Sequence, residues 1–280
     1  MSISLKAKIT LKLLEVIPQN ELSRAVGWML SRPVPRSLRE PLYTTLARLA
    51  GANLEEAEKP ISEYPTVDEL FTRKLKEGAR TLSEQPIVCP VDGVVSQHGR
   101  IEEGKLLQAK GKSYRVEDLL GEERAAQDFM GGQFLTIYLS PKDYHRIHCP
   151  VAGTIDGYIY VPGRLWPVFP AAVESIDGLF TQNERISSLL TSASGKAALV
   201  KVGATCVGSI SLAYDGIRSN RAHAQPAVRS FVRPLPVARL DELGAFHMGS
   251  TVVLLLSPSM PLLKPLEEGQ VVRLGEGLCQ

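Results

Sequence analysis

The sequence predicts an α+β fold, in which a helical N-terminal region packs on a β-rich, antiparallel domain of the sandwich or barrel-like kind. Apolar residues recur at helical spacing in the first part of the chain, whereas β-branched runs broken by Gly, Pro and Asp follow Arg80. No low-complexity linker separates the two parts. We therefore expect residues 1–80 to form the helical region and residues 81–280 the β-rich domain.

Two amphipathic helices are predicted near the N-terminus. Asn20 is suited to cap a helix whose apolar residues follow Leu22 at i+3, i+4, i+7 and i+8, and Pro33 ends this pattern. A second helix follows Pro35, and Gly51 is well placed to close it. The apolar stripe of the second helix consists of Leu38, Leu42, Leu46 and Leu49.

A third helix is predicted after the capping box Thr66-x-x-Glu69, and it should stop at Gly78. The segment Ile3–Leu13 is ambiguous. Its apolar residues alternate as in a strand, yet a helix over Ile9–Ile17 also fits.

Short strands are predicted in the second part of the chain. The clearest are Ile87–Val95, Phe134–Leu139, Thr154–Val161, Ala198–Val202, Thr205–Leu212 and Thr251–Leu256. Two related heptapeptides occur here, CPVDGVV at Cys89–Val95 and CPVAGTI at Cys149–Ile155. They indicate two similar strand-turn segments that enter one β core.

Charge and cysteine content exclude several classes of protein. The net charge is +2, from 32 basic and 30 acidic residues, so the chain lacks the positive field of a duplex DNA binder. Residues 1–50 nevertheless hold eight Lys/Arg against three Glu, a local balance of +5. The four cysteines are 60, 57 and 73 residues apart, which fits neither a zinc pattern nor a disulfide framework and favours a reducing compartment.

Neither a secretory signal nor a membrane span is expected. The first apolar stretch, Ile3–Ile17, is interrupted by charged residues. The longest uncharged stretch, Met248–Leu263, is shorter than the roughly 20 residues of a spanning helix and contains two prolines.

Three polar segments could carry chemistry, and each also has an ordinary structural interpretation. His145 and His148 have a spacing that metal ligands can have, but no third ligand is evident, and we predict no metal site. Asp92 lies in an Asp-Gly pair typical of turns. Ser250 precedes an apolar run, where hydroxyl groups often bond their own backbone.

Together these segments supply an acid, a base and a hydroxyl nucleophile. The order Asp92, His148, Ser250 is one that hydrolases use, so a Ser-His-Asp lipid hydrolase is one interpretation. The absence of a G-x-S-x-G elbow around Ser250 argues against an esterase. A non-enzymatic alternative is a barrel-like binding module, suggested by the paired heptapeptides.

A set of ordered motifs resembles bacterial phosphatidylserine decarboxylase, a pyruvoyl-dependent family whose product is phosphatidylethanolamine. The motifs are VDG at Val91–Gly93, SPKDYHRIH at Ser140–His148, YVPG at Tyr160–Gly163, NER at Asn183–Arg185, VGATCVGSI at Val202–Ile210 and MGST at Met248–Thr251. The resemblance covers nearly the whole chain. One departure is Met248, where the best-known form of the motif has Leu, a change of similar volume.

The resemblance implies a proenzyme that cuts itself between Gly249 and Ser250, which gives a large subunit of residues 1–249 and a small subunit of residues 250–280. The Ser250 hydroxyl would attack the Gly249 carbonyl, and the resulting ester would eliminate to dehydroalanine. Hydrolysis would then leave a covalent pyruvoyl group, the cofactor of the family. Because glycine has no side chain and tolerates strained dihedrals, it would leave this carbonyl open to attack.

The resemblance also implies roles for the remaining site residues. Asp92, His148 and Ser250 match the self-cleavage triad of the family, with Asp92 orienting His148 as the base. The pyruvoyl carbonyl would form a Schiff base with the serine amine of phosphatidylserine, and carbon dioxide would leave. His145 is the candidate for substrate contact or proton donation.

A lipid substrate lies in a bilayer, so a membrane-facing surface is expected. The basic region 1–50, with Trp28 and Met29 beside the first apolar stripe, fits an interfacial anchor attracted to anionic lipid. The alternative is that this stripe packs on the β core. Trp166 and Phe169 are further candidates, for which a core position fits equally well. We expect a peripheral protein on the cytoplasmic side of the cell membrane, a homodimer by resemblance, with no nucleic-acid partner.

Overall fold

Antiparallel strands are the main regular element of the structure, a computed structural model that describes residues 17–205, 209–247 and 249–280. The expectations for Ile3–Leu13 and for Met248 lie outside the described residues. The helices are α1 (Gln19–Leu30), α2 (Arg36–Ala50), α3 (Val67–Phe71), α4 (Val116–Leu120), α5 (Glu123–Gln127), α6 (Pro170–Ser175) and α7 (Leu179–Gln182), with a 3-10 turn at Ile61–Glu63. The strands are β1 (Gly93–Arg100), β2 (Lys105–Ala109), β3 (Lys112–Arg115), β4 (Gln133–Leu139), β5 (Arg146–His148), β6 (Gly153–Val161), β7 (Arg185–Ser192), β8 (Gly195–Val202), β9 (Ile210–Leu212), β10 (Ala227–Val237), β11 (Glu242–Phe246), β12 (Ser250–Leu256) and β13 (Val271–Val272).

Eight strands form one open sheet in the order β10-β6-β7-β8-β12-β4-β1-β13, and all neighbours are antiparallel. The β-rich, antiparallel part of the prediction is therefore confirmed. The end strands β10 and β13 do not pair with each other in the described part of the chain, so the barrel-like alternative is wrong. Short alternating strands look alike in open and closed sheets, and the sequence pattern could not separate the two.

The central strand of this sheet is β12, between β8 and β4. All seven of its residues, Ser250–Leu256, are buried. Val252 and Leu254 pack into one hydrophobic core and Val253 and Leu255 into a second, as alternation along a strand requires. A three-stranded sheet in the order β5-β11-β9 shares the first core, whereas the β2-β3 hairpin and helices α4 to α7 share the second.

The two Cys-Pro-Val segments lie side by side, which confirms the predicted pair of strand-turn segments. Val88 N–H donates to Pro150 O at 2.9 Å, and His148 N–H donates to Pro90 O at 2.9 Å. These reciprocal bonds relate the two segments by a local two-fold axis. The segments lead into β1 and β6, each one strand in from an edge of the large sheet. Asp92 of one segment and His148 of the other are thereby brought to the same part of the molecule.

The first two helices form as predicted, with one correction. Helix α1 begins at Gln19 after Pro18, so Asn20 lies inside the helix and its side chain donates to Gly163 O at 3.0 Å instead of capping. Gly51 closes α2 in the left-handed conformation, with φ 73°. None of the helices in the described part of the chain has the length and apolar content needed to cross a bilayer.

Helix α3 is shorter than the sequence predicts. Thr66 caps it as expected, because its hydroxyl oxygen accepts a backbone N–H from the first turn at 3.0 Å. The helix ends at Phe71 rather than near Gly78, because residues 74–76 form backbone hydrogen bonds with residues 56–58 instead of continuing the helix.

Four of the predicted strands are confirmed as β4, β6, β8 and β12. The strand predicted at Ile87–Val95 begins only at Gly93, because residues 87–89 bond to Pro150 and to the C-terminal segment 276–278. The strand predicted at Thr205–Leu212 is confirmed only as β9, and its residues 206–208 lie outside the described part.

Candidate active site

Ser250 begins β12 and is completely buried. It pairs with Leu139, the last residue of β4, and its Oγ has no hydrogen-bond partner among the described residues. The loop that follows Leu139 returns to the same segment, since Phe246 N–H donates to His145 O at 3.0 Å. The loop with both histidines therefore flanks the Gly249–Ser250 junction.

The His145 ring is fully buried, with its centroid 4.1 Å from that of Phe71. Nδ1 lies 2.8 Å from Asp143 O and must donate, because a carbonyl can only accept. Nε2 therefore carries the lone pair, and it has no partner among the described residues. Burial lowers the pKa of His145 to about 3, so the ring is neutral at pH 7. His145 thus presents an unoccupied acceptor in a dry environment.

His148 is oriented at both ring nitrogens. Its Nδ1 donates to Leu240 O at 2.6 Å, which leaves the lone pair on Nε2. The Tyr144 hydroxyl donates to Nε2 at 3.0 Å, and the two rings stack with centroids 5.6 Å apart. Burial lowers the pKa of His148 and keeps it neutral. Nε2 therefore carries the lone pair that a base needs, but in this arrangement that lone pair accepts the Tyr144 hydroxyl.

The buried carboxylate of Asp92 bonds to other groups than His148. Arg80 Nε donates to Oδ1 at 3.0 Å and to Oδ2 at 3.1 Å, and Leu274 N–H donates to Oδ1 at 2.8 Å. Arg80 also pairs with Glu56 at 2.8 Å. The sequence-based expectation was that Asp92 orients His148, but in the structure the Leu240 carbonyl does so. Asp92 contributes its negative charge nearby rather than a hydrogen bond to the imidazole.

The space around Gly249 would accommodate a Cβ atom. A Cβ added there would meet nothing closer than Leu139 O, at 3.9 Å, and its backbone lies outside the left-handed region. Neither steric crowding nor backbone strain in the structure demands glycine at this position.

Two buried basic residues near this site gave no signal in the sequence. Arg80, the partner of Asp92, stands at the predicted boundary of the helical region and belongs to no motif. Lys201 is fully buried on β8, where Nζ donates to Ser188 Oγ at 2.5 Å, and no carboxylate of the described residues pairs with it. Burial lowers the pKa of Lys201 to about 7. A lysine in a β-branched run reads as solvent-facing, so only the tertiary structure shows its burial.

The chain is similar in sequence to phosphatidylserine decarboxylases. The family model described as phosphatidylserine decarboxylase matches residues 67–280. The phosphatidylserine decarboxylase proenzyme of Myxococcus xanthus (strain DK1622) is 46% identical over 270 residues, which cover 95% of this chain and 96% of that protein. The proenzymes of Anaeromyxobacter sp. (strain K) and Brevibacillus brevis (strain 47) are 44% and 42% identical, over 97% and 95% of this chain and 98% and 96% of their own lengths.

The matched region contains the whole large sheet, the histidine loop and the Gly249–Ser250 junction. The relatives extend the similarity through α1 and α2 as well. On this evidence the chain belongs to the phosphatidylserine decarboxylase family.

Proposed function

We propose that this protein decarboxylates phosphatidylserine to phosphatidylethanolamine, using a pyruvoyl group made from Ser250 after self-cleavage between Gly249 and Ser250. The observation that carries the proposal is the buried Ser250 hydroxyl, which has no partner among the described residues. Ser250 begins the central strand, opposite the end of β4 that leads into the loop with both histidines. A buried hydroxyl without a hydrogen bond is unfavourable for stability, so a chemical role accounts for it.

The cleavage can be written with the residues of this chain. Ser250 Oγ loses its proton to His148 Nε2 and bonds to the Gly249 carbonyl carbon, and the peptide C–N bond breaks as the amine takes up the proton. The ester then eliminates: a base removes the Cα proton of residue 250, the Cβ–Oγ bond breaks and Gly249 keeps the carboxylate. Addition of water to the remaining dehydroalanine and loss of ammonia then leave the pyruvoyl group. For His148 to act as base, the Tyr144 hydroxyl must give up its contact with Nε2.

The surroundings of Ser250 fit a pyruvoyl group. The site is buried, and because Ser250 Oγ has no hydrogen-bond partner among the described residues, its departure with Gly249 would break no hydrogen bond. The His145 Nε2 lone pair must take up a proton before it can donate to a carbonyl oxygen. Once formed, the group supplies an electrophilic carbonyl and an electron sink for decarboxylation. We assign His145 to hold and deliver a proton at Nε2. An anionic substrate beside the ring would favour the protonated form and raise its pKa from the low value that burial imposes.

Intact mass spectrometry and a decarboxylation assay on the purified protein test this function. We expect two pieces, residues 1–249 and 250–280, the smaller blocked to Edman degradation, together with phosphatidylethanolamine formed from phosphatidylserine. Ser250→Ala is the control and should remain one inactive chain. A single uncut chain of 30.6 kDa that hydrolyses lipid esters would instead support the Ser-His-Asp hydrolase.

We further propose that α1 and α2 lie on the membrane, with the protein peripheral on the cytoplasmic side and dimeric. Apolar side chains of these helices remain exposed instead of packing on the β core. Trp28 is 63% exposed, Met29 58% and Leu49 81%. Apolar residues clustered with basic ones on a surface helix are typical of interfacial anchors. Trp166 is buried and Phe169 half-buried, so neither supports this surface.

Liposome flotation tests the anchor. The double variant Trp28→Ser/Met29→Ser should bind vesicles of phosphatidylcholine and phosphatidylglycerol about tenfold or more weakly, since each apolar side chain contributes roughly 1.5–3 kcal/mol when buried. Val232→Ser is the matched control, because Val232 is fully exposed on β10, away from both helices. Undiminished flotation of a folded double variant would reject this anchor.

A further inference from the structure

A pair of adjoining cavities lies between α1 and the end of the large sheet where β12 begins. We call them the arginine cleft. The larger, about 690 Å³, is lined by Arg164 and Glu184, the smaller, about 240 Å³, by Arg218, and both by Arg24 and Arg221. The cleft is therefore a continuous space with four arginines on its walls.

The register of the sheet fixes how near this cleft is to the reaction centre. Thr251 of β12 pairs with Val202 of β8, and one residue further on, Gly203 N–H donates to Glu184 O at 2.9 Å. Continued by one residue, this register aligns Ser250, Gly203 and Glu184 in one row. Two interstrand spacings separate the outer residues by about 10 Å, and side chains in one row point to the same face. Glu184 and Ser250 therefore share a face of the sheet at the same level.

The cleft carries excess positive charge. Arg164, Arg218 and Arg221 form no ion pair with a carboxylate of the described residues, whereas Arg24 pairs with Glu21 at 2.7 Å. Arg218 donates instead to His247 Nε2 at 2.9 Å. Arginine side chains that converge on a cavity without carboxylate partners favour an anion there, and a phosphate oxygen cluster suits the guanidinium geometry.

One acid of the cleft is deeply buried and held by hydrogen bonds. Glu184 is 2% exposed, and its Oε1 accepts from Asn220 N–H at 2.7 Å and from the Tyr160 hydroxyl. Its Oε2 has no partner in the described part of the chain. Burial raises the pKa of Glu184, which favours the protonated acid. The carboxyl group is therefore fixed in the wall of the cleft through Oε1, and Oε2 is enclosed by protein.

We propose that the arginine cleft binds the phosphodiester of the lipid substrate, with Arg218 and Arg221 holding its charged oxygens. This inference rests on the proposed function. The serine carboxylate of the substrate must depart as carbon dioxide, so tight pairing of that group with arginine would oppose the reaction. The phosphodiester keeps its charge throughout. It is also only a few bonds from the amine that must reach Ser250.

The position of the cleft also suits a substrate drawn from a bilayer. Trp28, which is exposed on α1, lines the smaller cavity together with His247, three residues before Ser250. The cleft thus runs from the helix that we assign to the membrane surface to the cleavage junction. A headgroup can occupy it while the acyl chains remain at the surface.

Steady-state kinetics with a water-soluble, short-chain phosphatidylserine test the cleft without a membrane contribution. For Arg218→Gln and Arg221→Gln we expect KM to rise about tenfold or more each, as the loss of one charge-assisted contact implies, with kcat changed less than about threefold. Arg124→Gln removes the same charge at a cavity formed with Asp128 and Lys196 and should leave KM unchanged. Both cleft variants should be cut as completely as the wild type.

Several outcomes would overturn the assignment. A KM equal to that of the wild type in both cleft variants would overturn it. Loss of self-cleavage in both variants would also overturn it, because the arginines would then be needed for the junction to fold. Calorimetric binding of glycerophosphoserine and of inorganic phosphate distinguishes the two phosphate sources, and tighter binding of inorganic phosphate would reject a lipid subsite. If the wild type binds glycerophosphoserine through these arginines but does not decarboxylate, the cleft stands and the proposed function fails.

Discussion

His145→Ala should be cut like the wild type yet lose about a hundredfold or more in decarboxylation, whereas His148→Ala should remain one uncut chain. General acid-base groups contribute typically 10²–10⁴-fold, and the two rings are set up differently. His148 is fixed at Nδ1 by the Leu240 carbonyl, as a base that acts on one defined hydroxyl would be. His145 Nε2 has no partner among the residues that the structure describes, which suits a group that meets the substrate only after cleavage.

Electrophoresis during expression and phosphatidylethanolamine formation by the purified variants measure the two phenotypes separately. His98→Ala is the matched control, because His98 Nε2 also bonds to a carbonyl, Leu266 O at 2.8 Å, but lies on β1 outside the site. It should be cut and active. An uncut His145→Ala together with a cut His148→Ala would exchange the two assignments.

Asp92→Asn should lower the free energy of unfolding by about 3 kcal/mol or more, in addition to leaving the junction uncut. The substitution keeps the side-chain shape but leaves the buried Arg80 charge without its full counter-ion, and breaking a buried ion pair from one side typically costs about 3–5 kcal/mol. The carboxylate also accepts from Leu274 N–H, in the segment that becomes the small subunit after the proposed cut. The amide oxygen of the variant can still accept this N–H, so the expected loss of stability comes from the Arg80 charge.

Urea denaturation in a Ser250→Ala background measures this stability, because every variant is then a single chain. Asp128→Asn provides the control. Its partner Lys196 is half-exposed, and an exposed pair contributes only about 0–1 kcal/mol. If Asp92→Asn lowers the free energy of unfolding no more than the control does, the Arg80–Asp92 ion pair does not stabilise the fold. Normal cleavage of Asp92→Asn in the presence of Ser250 would remove Asp92 from the cleavage chemistry.

The structure brings Asp92 and His148 near each other but leaves their side chains without a mutual hydrogen bond. The repeated Cys-Pro-Val segments predicted two strand-turn segments that enter one core, and their reciprocal backbone bonds bear this out. The partner of His148 Nδ1 is Leu240, whose carbonyl carries no residue-type signal at all. Backbone acceptors of this kind are set by the tertiary path of the chain, so motifs cannot reveal them.

Features that depend on contacts between distant parts of the chain could not be predicted from local sequence patterns either. Arg24 and Arg221 are separated by most of the chain and meet only because α1 docks beside the loop that contains Gly163, through Asn20. Whether the β sheet closes also depends on strand order, which alternation along single strands does not encode. The helix caps, by contrast, are local, and Thr66 and Gly51 were predictable for that reason.

The central position of β12 makes the proposed maturation a one-way process. Cleavage before Ser250 would make this inner strand of an eight-stranded sheet the N-terminal end of a separate peptide, which consists of the 31 residues 250–280. The folded state can survive the cut because both flanking ladders remain paired. Refolding after denaturation would then be a bimolecular search in which the large piece must keep a gap open at its centre. The mature enzyme would thus persist through slow unfolding, and only the uncut precursor could fold spontaneously from a single chain.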